Sequence, residues 1–139
     1  KLLAEAMEKI DPNYSIGVVG YQDLLNKLEL NYGSKEALSV LDKAIKTIKQ
    51  NTKSIALAPS GTTSRLLRVC PSIEPNGLVS YLDELNTMMI VQKQIDGQIS
   101  KTINLKNDAT IEDVDYIIQN AYNMGLKGIT VFPLATKNI

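Results

Sequence analysis

Residues 98–132 read QISKTINLKNDATIEDVDYIIQNAYNMGLKGITVF, and their order decides the fold class. Residues 98–105 alternate apolar and polar side chains, the period of a strand with one buried face. Asn107-Asp108 is a turn pair. Thr110 followed by Asp113 is a capping box, in which each residue satisfies an amide of the other at a helix start. The apolar spacing then predicts a helix from Ile111 to about Met124, with Gly125 closing it because glycine accepts the left-handed conformation at no steric cost. Residues 128–132, GITVF, predict the next strand. Strand, helix and strand in this order predict a parallel pair joined by a right-handed crossover.

Upstream, helical spacing covers residues 82–95, after a loop over residues 72–80 that contains Pro75, Asn76 and Gly77. Residues 54–58, SIALA, form a short apolar run between chain breakers and predict a buried strand. The hydroxyl-rich segment Pro59-Ser60-Gly61-Thr62-Thr63-Ser64 is expected to turn, with a helix from Arg65 until Pro71. Ser34 is a good N-cap for a helix over Lys35–Gln50, whose Leu38, Leu41, Ile45 and Ile48 share one face. A shorter helix is predicted over residues 21–28, behind the glycine-punctuated turn Ile16-Gly17-Val18-Val19-Gly20. Residues 1–9 repeat apolar residues at helical spacing until Asp11-Pro12 ends the run. Because the chain opens at Lys1 inside that repeat, it reads as one piece of a longer or split polypeptide. The expectation is a single α/β domain over residues 1–139, richer in helix than in strand, with few and mostly parallel strands.

Composition narrows the function. Fifteen Lys and Arg balance 15 Asp and Glu, so no basic field points to direct nucleic-acid binding and none to a membrane surface. No apolar run reaches the roughly 18 residues of a membrane span, and no signal peptide opens the chain. The single cysteine, Cys70, excludes an internal disulfide and makes a reducing, cytoplasmic setting the default expectation. The chain has no histidine, the commonest general base and metal ligand, so no metal site is expected.

The strongest chemical signal lies at residues 58–64, APSGTTS, where a predicted strand meets a turn and then a helix. A helix start carries unsatisfied N–H groups and the positive end of the dipole, and such a terminus holds phosphate without a lysine. Gly61 allows close backbone approach, and Ser60, Thr62, Thr63 and Ser64 offer hydroxyls. Arg65 or Arg68 could add charge. Neither a Walker loop nor a G-x-G-x-x-G is present, and a Ser/Thr-rich helix start is often only a cap.

The wider context resembles a known family. Residues 55–75 read IALAPSGTTSRLLRVCPSIEP, which resembles the stretch of ribonucleotide reductase large subunits in which an "APTGT-S" loop precedes a helix and then "S-G-I-E-P". The Gly17–Gly20 turn, Asp23-Leu24-Leu25 and Tyr32-Gly33-Ser34 resemble that family's "G-L-G-V-M-G-L-A-D-L-L…Y-D-S" helix pair. Ser100-Lys101-Thr102-Ile103-Asn104-Leu105, Asn107 to Thr110, Glu112-Asp113-Val114 and Gly125 to Val131 resemble its "S-K-T-I-N-L-P-N-D-A-T-V-E-D-V…G-L-K-G-I-T-V-Y" block, in the form typical of the adenosylcobalamin-dependent class. Val131 and Phe132 stand where the di-iron class carries a radical-relay tyrosine pair. Two departures mark a divergent member: Cys70-Pro71-Ser72 replaces "S-S-G", removing a glycine, and Pro133 to Lys137 replace "R-D-G-S-R".

The resemblance implies the C-terminal part of a ten-stranded α/β barrel, incomplete by itself, within an enzyme that converts ribonucleotides to deoxyribonucleotides for DNA synthesis by radical chemistry. It implies that Pro59, Ser60, Gly61, Thr62, Thr63 and Ser64 bind the substrate phosphates. It implies adenosylcobalamin as cofactor, bound mainly outside this segment. Its chemistry needs a thiyl-radical cysteine on a finger loop and two reducing cysteines, at least three thiols, so no catalytic residue is assigned among these. The expected partners are the ribonucleotide substrate and an upstream segment or companion chain that carries the finger-loop cysteine. The competing expectation is a non-catalytic nucleotide-binding or interaction module derived from a split or degenerate reductase.

Other chemistry-bearing residues have plainer readings. Cys70 reads as a small residue filling a serine position rather than a nucleophile. Glu74 reads as setting its loop, and Lys101 and Thr102 as a solvated strand end. Glu112, Asp113 and Asp115 read as first-turn acids favoured by the helix dipole. Tyr21, Tyr32, Tyr81, Tyr116 and Tyr122 are mostly spaced for helix packing.

Overall fold

The capping box expected at Thr110 forms: the Thr110 hydroxyl accepts from Asp113 N at 3.2 Å, and the Asp113 carboxylate accepts from Thr110 N at 2.8 Å. In the computed structural model, which describes residues 2–11, 13–57, 59–95, 97, 99 and 101–133, this box opens the crossover helix of a parallel strand pair. The elements in chain order are α1 (Leu2–Ile10), α2 (Tyr21–Lys27), α3 (Lys35–Gln50), α4 (Gly61–Leu67), α5 (Tyr81–Gln92), β1 (Thr102–Leu105), α6 (Ile111–Asn123) and β2 (Thr130–Pro133). β1 and β2 pair in parallel with Thr102 opposite Thr130 and Leu105 opposite Pro133. α6 closes in a Schellman pattern, with Gly125 at φ 76° and Leu126 N donating to Ala121 O at 3.0 Å.

One apolar core joins these elements. Leu25, Ile45, Ile73, Leu85, Met88, Val91, Ile103 and Ile117 are all within 1% of full burial. They come from α2, α3, the loop before α5, α5, β1 and α6, so each amphipathic face meets the same interior. Tyr21 and Tyr32 pack edge to face at 5.8 Å and donate their hydroxyls to Ala37 O and Ile73 O, at 2.9 and 2.8 Å. Burial raises both phenols, Tyr21 to about 12, which fits packing residues rather than redox ones. Tyr81 and Tyr116 also meet edge to face, whereas Tyr122 is 82% exposed on the outer side of α6.

Several boundaries differ from the sequence reading, each for a local reason. Residues 54–57 do not form a strand of a sheet. Ile55 makes one parallel bridge to Ile16, and the pairing stops there because Gly17–Gly20 leads directly into α2. Ala58, the end of that expected strand, lies outside the described residues. α5 ends at Gln92 because its side-chain amide donates to Ile95 O and Gly97 O, at 3.0 and 2.9 Å. β1 is shorter than expected, and Gln98 and Ser100 lie outside the described residues, as do Lys1, Pro12 and the divergent tail after Pro133. No helix among the described residues is long and apolar enough to cross a membrane.

Gly33 shows what the α2–α3 junction demands. Its φ is 77°, and a Cβ built there would overlap the side chain of Asp83 on α5. Backbone and steric penalties act together, so Gly33→Ala is expected to cost about 2–4 kcal/mol, read as a lower urea midpoint with an unchanged slope.

Candidate functional site

α4 begins at Gly61, four residues before the expected start. Ser64 N donates to Ser60 O at 2.8 Å, and the Ser64 hydroxyl donates to Gly61 O at 3.1 Å, so the hydroxyl-rich segment is already the first helical turn. The helix also ends early: Arg68 takes φ 55°, and Val69 N reaches back to Ser64 O at 3.0 Å, well before Pro71. Ser60 occupies the N-cap position without capping. Its hydroxyl instead accepts from Ser72 N at 2.9 Å, tying the loop to the segment after the helix. The first-turn amides of Gly61, Thr62 and Thr63 therefore have no side-chain cap.

A cleft of about 210 Å³ opens beside this turn, lined by Pro59, Ser60, Gly61, Pro71, Ser72, Glu74, Lys101 and Thr102. A Cβ at Gly61 would meet nothing within 4 Å, so the backbone there faces open space. Thr62 and Thr63 are exposed on the same turn. Ser64 is different: it is 2% exposed and its hydroxyl is used inside the turn, so it shapes the loop instead of facing a ligand. Arg65 and Arg68 are exposed and do not line the cleft.

The opposite wall is pinned from below. Gly20 N donates to Cys70 O at 2.8 Å, Cys70 N donates to the Asp23 carboxylate at 2.6 Å, and Tyr21 N donates to Ser72 O at 3.4 Å. Burial, then Asp23, raises the Cys70 thiol above its ordinary value, the direction opposite to that of an activated nucleophile. Glu74 N donates to Pro71 O at 2.9 Å, closing a turn in which Ser72 has φ 45°. The left-handed region costs a serine about 1–2 kcal/mol, and a glycine far less. This turn is the place of the glycine in the resembled "S-G-I-E-P" motif. Ser72 takes a glycine-like backbone there, at that cost.

The floor of the cleft corrects a sequence expectation. Lys101 is not a solvated strand end: its side chain is 0% exposed. Its ammonium contacts Glu74 at 2.8 Å, forms a very short contact with Glu84, and donates to Thr102 O at 3.3 Å. Glu84 is 1% exposed on α5, and the sequence reading did not single it out. Burial raises the Glu84 carboxyl above the ordinary value, Lys101 lowers it, and Glu74 adds to the rise. The direction follows from burial, which outweighs the ion pair with Lys101. Both positions carried a signal. Lys101 alternates with buried Ile99, Ile103 and Leu105, and Glu84 lies beside the Leu85–Met88–Val91 stripe. The plainer readings hold for Glu112 and Asp113 in the first turn of α6, and Glu74 sets its loop through the Lys101 ion pair. Among the described residues no group of His, Cys, Asp and Glu could hold a metal ion.

Residues 78–132 match the sequence pattern of the ribonucleotide reductase barrel domain. Over 54 residues the chain is 35% identical to a vitamin B12-dependent ribonucleotide reductase of Streptomyces coelicolor, covering 39% of this chain and 6% of that protein. It is 21% identical to a vitamin B12-dependent ribonucleoside-diphosphate reductase of Thermoplasma acidophilum, covering 89% of this chain and 28% of that protein. The chain thus spans well under a third of the length of either relative. Its fold superposes on the class Id ribonucleotide reductase alpha subunit of Actinobacillus ureae with a TM-score of 0.80 at 15% identity, over 87% of this chain and 39% of that one. The helix-rich fold with its two parallel strands is part of an α/β barrel of that type. On the barrel-domain match, these relatives and the shared fold, the chain is similar to a C-terminal segment of the ribonucleotide reductase large-subunit barrel, with vitamin B12-dependent enzymes among the proteins it resembles.

Proposed function

We propose that this segment completes the catalytic barrel of a ribonucleotide reductase and seats the substrate's phosphates on the turn at Pro59, Ser60, Gly61, Thr62 and Thr63, with Ser64 fixing its shape. The observation that carries this reading is the uncapped start of α4, opening onto a cleft at a glycine with empty space before it. Charge-assisted amide hydrogen bonds contribute about 1.5–3 kcal/mol each, more than the roughly 0.3–1 kcal/mol expected from a helix dipole. α4 has only 7 residues, so amide geometry outweighs the dipole here.

The reaction assigned to the whole enzyme is conversion of a ribonucleotide to a deoxyribonucleotide by radical chemistry. Adenosylcobalamin would supply the radical from outside this segment. Further thiols must also come from elsewhere, since the chemistry needs at least three and this sequence has one cysteine. The partner is the remainder of the barrel, in the same or a companion chain. Ile111, Ile118 and Tyr122, 84%, 47% and 82% exposed, share the outer stripe of α6 and offer it an apolar face. A second reading keeps nucleotide binding without catalysis, and the single cysteine favours it for the chain taken alone.

The test is thermal unfolding with ADP. A ligand that binds only the folded chain adds about 2.7 kcal/mol at a hundredfold excess over Kd, a rise of about 5–10 °C for a domain of this size. Adenosine should give no such rise. Equal effects from ADP and adenosine, or none from either, would remove the phosphate assignment.

A further inference from the structure

Ser72 carries an unanswered polar group at the cleft. It is 4% exposed, lines the wall facing Gly61, and its hydroxyl has no hydrogen-bond partner among the described residues. Its backbone is fully engaged: the amide donates to the Ser60 hydroxyl at 2.9 Å, and the carbonyl accepts from Tyr21 N at 3.4 Å. The side chain is the part left over. Buried hydroxyls are ordinarily satisfied, so an orphan one needs an explanation. Glycine would hold this φ of 45° more easily and would bury no hydroxyl. No hydrogen bond fixes the hydroxyl in its present rotamer.

We propose that Ser72 is a ligand-binding residue of this cleft, whose hydroxyl donates to a phosphoryl oxygen of the nucleotide held on the opposite turn. This rests on the phosphate reading of Pro59 to Thr63 and adds a contact from the other wall. The neighbouring groups narrow the ligand. Lys101 is committed to Glu74 and Glu84, and no other cation lines the cleft among the described residues, so the phosphate is held there by amides and hydroxyls. A site of this kind favours a ligand that brings several acceptor oxygens, as a diphosphate does. The hydroxyl then supplies a hydrogen bond to a charged acceptor, stronger than one to a neutral group.

Titration calorimetry of the full chain with ADP and with inorganic pyrophosphate tests this, using wild type, Ser72→Gly, Ser72→Ala and Gly61→Val, each with its melting temperature. Ser72→Ala removes the hydroxyl and keeps the Cβ, whereas Ser72→Gly also relieves the backbone. Both should bind about tenfold more weakly, and Ser72→Gly should melt no lower than wild type without ligand. Weaker binding with an unchanged or raised melting temperature supports the proposal. Unchanged binding in both variants, with wild type binding and Gly61→Val not, overturns the role of Ser72 and leaves the phosphate turn standing. Weaker binding accompanied by a lowered melting temperature overturns it also, because the hydroxyl would then be structural. If wild type binds neither ligand, the phosphate reading and the Ser72 contact both fall.

Discussion

Lys101→Ala is expected to destabilise the fold by about 3–5 kcal/mol, the cost of leaving buried charge without its partner. Among the described residues Lys101 is the sole cation paired with Glu74 and Glu84, and its side chain and that of Glu84 are 0% and 2% exposed. Against a domain stability of about 5–15 kcal/mol this is a large fraction. It would appear in urea unfolding as a lower midpoint. Removing both ends together separates the cost of orphaned charge from the worth of the pair. Lys101→Met with Glu84→Leu should recover most of the loss, since a well-packed apolar replacement of a buried pair is often neutral or stabilising.

The same triad sets a pH dependence with a definite sign. The Glu84 carboxyl is raised in the folded chain, so between the ordinary carboxylate value and the raised one the folded state holds more protons than the unfolded state. Stability contributed by Glu84 is therefore present at low pH and is lost as pH rises through that window. Without Lys101 the carboxyl rises further and the window widens upward. Glu84→Gln should flatten this part of the profile. A Lys101→Ala chain that unfolds within 1 kcal/mol of wild type, with the same pH profile, would contradict the reading of the triad.

Gly61→Val is expected to abolish the thermal shift produced by ADP while leaving the chain folded. The space that accepts the new side chain is the space assigned to phosphate, because a Cβ there meets no protein atom within 4 Å. Loss of two amide contacts to an anion corresponds to about a hundredfold weaker binding. Stability without ligand should move by no more than about 0.5 kcal/mol, as for other exposed substitutions. Binding that survives in Gly61→Val would move the ligand away from this turn.

What the sequence made legible depended on how local the determining forces were. The capping box at Thr110 and Asp113, the Ser34 cap and the Gly125 terminus are set by neighbours in the chain, and they form where expected. The parallel pairing of β1 and β2 followed from the strand–helix–strand order. Residues 54–58 read as a buried strand because they are a short apolar run between breakers; Ile55 and Leu57 are buried, yet sheet pairing needs a partner that such a run does not reveal. Ser64 looked like one more donor in a hydroxyl-rich loop; only the start of α4 at Gly61 turns it inward. Lys101 was misread because its charge was weighted above its parity. Alternation with Ile99, Ile103 and Leu105 already placed it on the buried face, but the partner that makes a lysine bearable there lies on α5. The orphan hydroxyl of Ser72 depends on a turn geometry that no single residue announces.

The most direct measurement of the central claim is an amide-resolved NMR titration of the 139-residue chain with inorganic pyrophosphate. Saturable shifts of the Gly61, Thr62 and Thr63 amides, larger than those elsewhere and absent in Gly61→Val, are the predicted result. Amides on that turn that stay in place while pyrophosphate binds elsewhere, or does not bind, would contradict it.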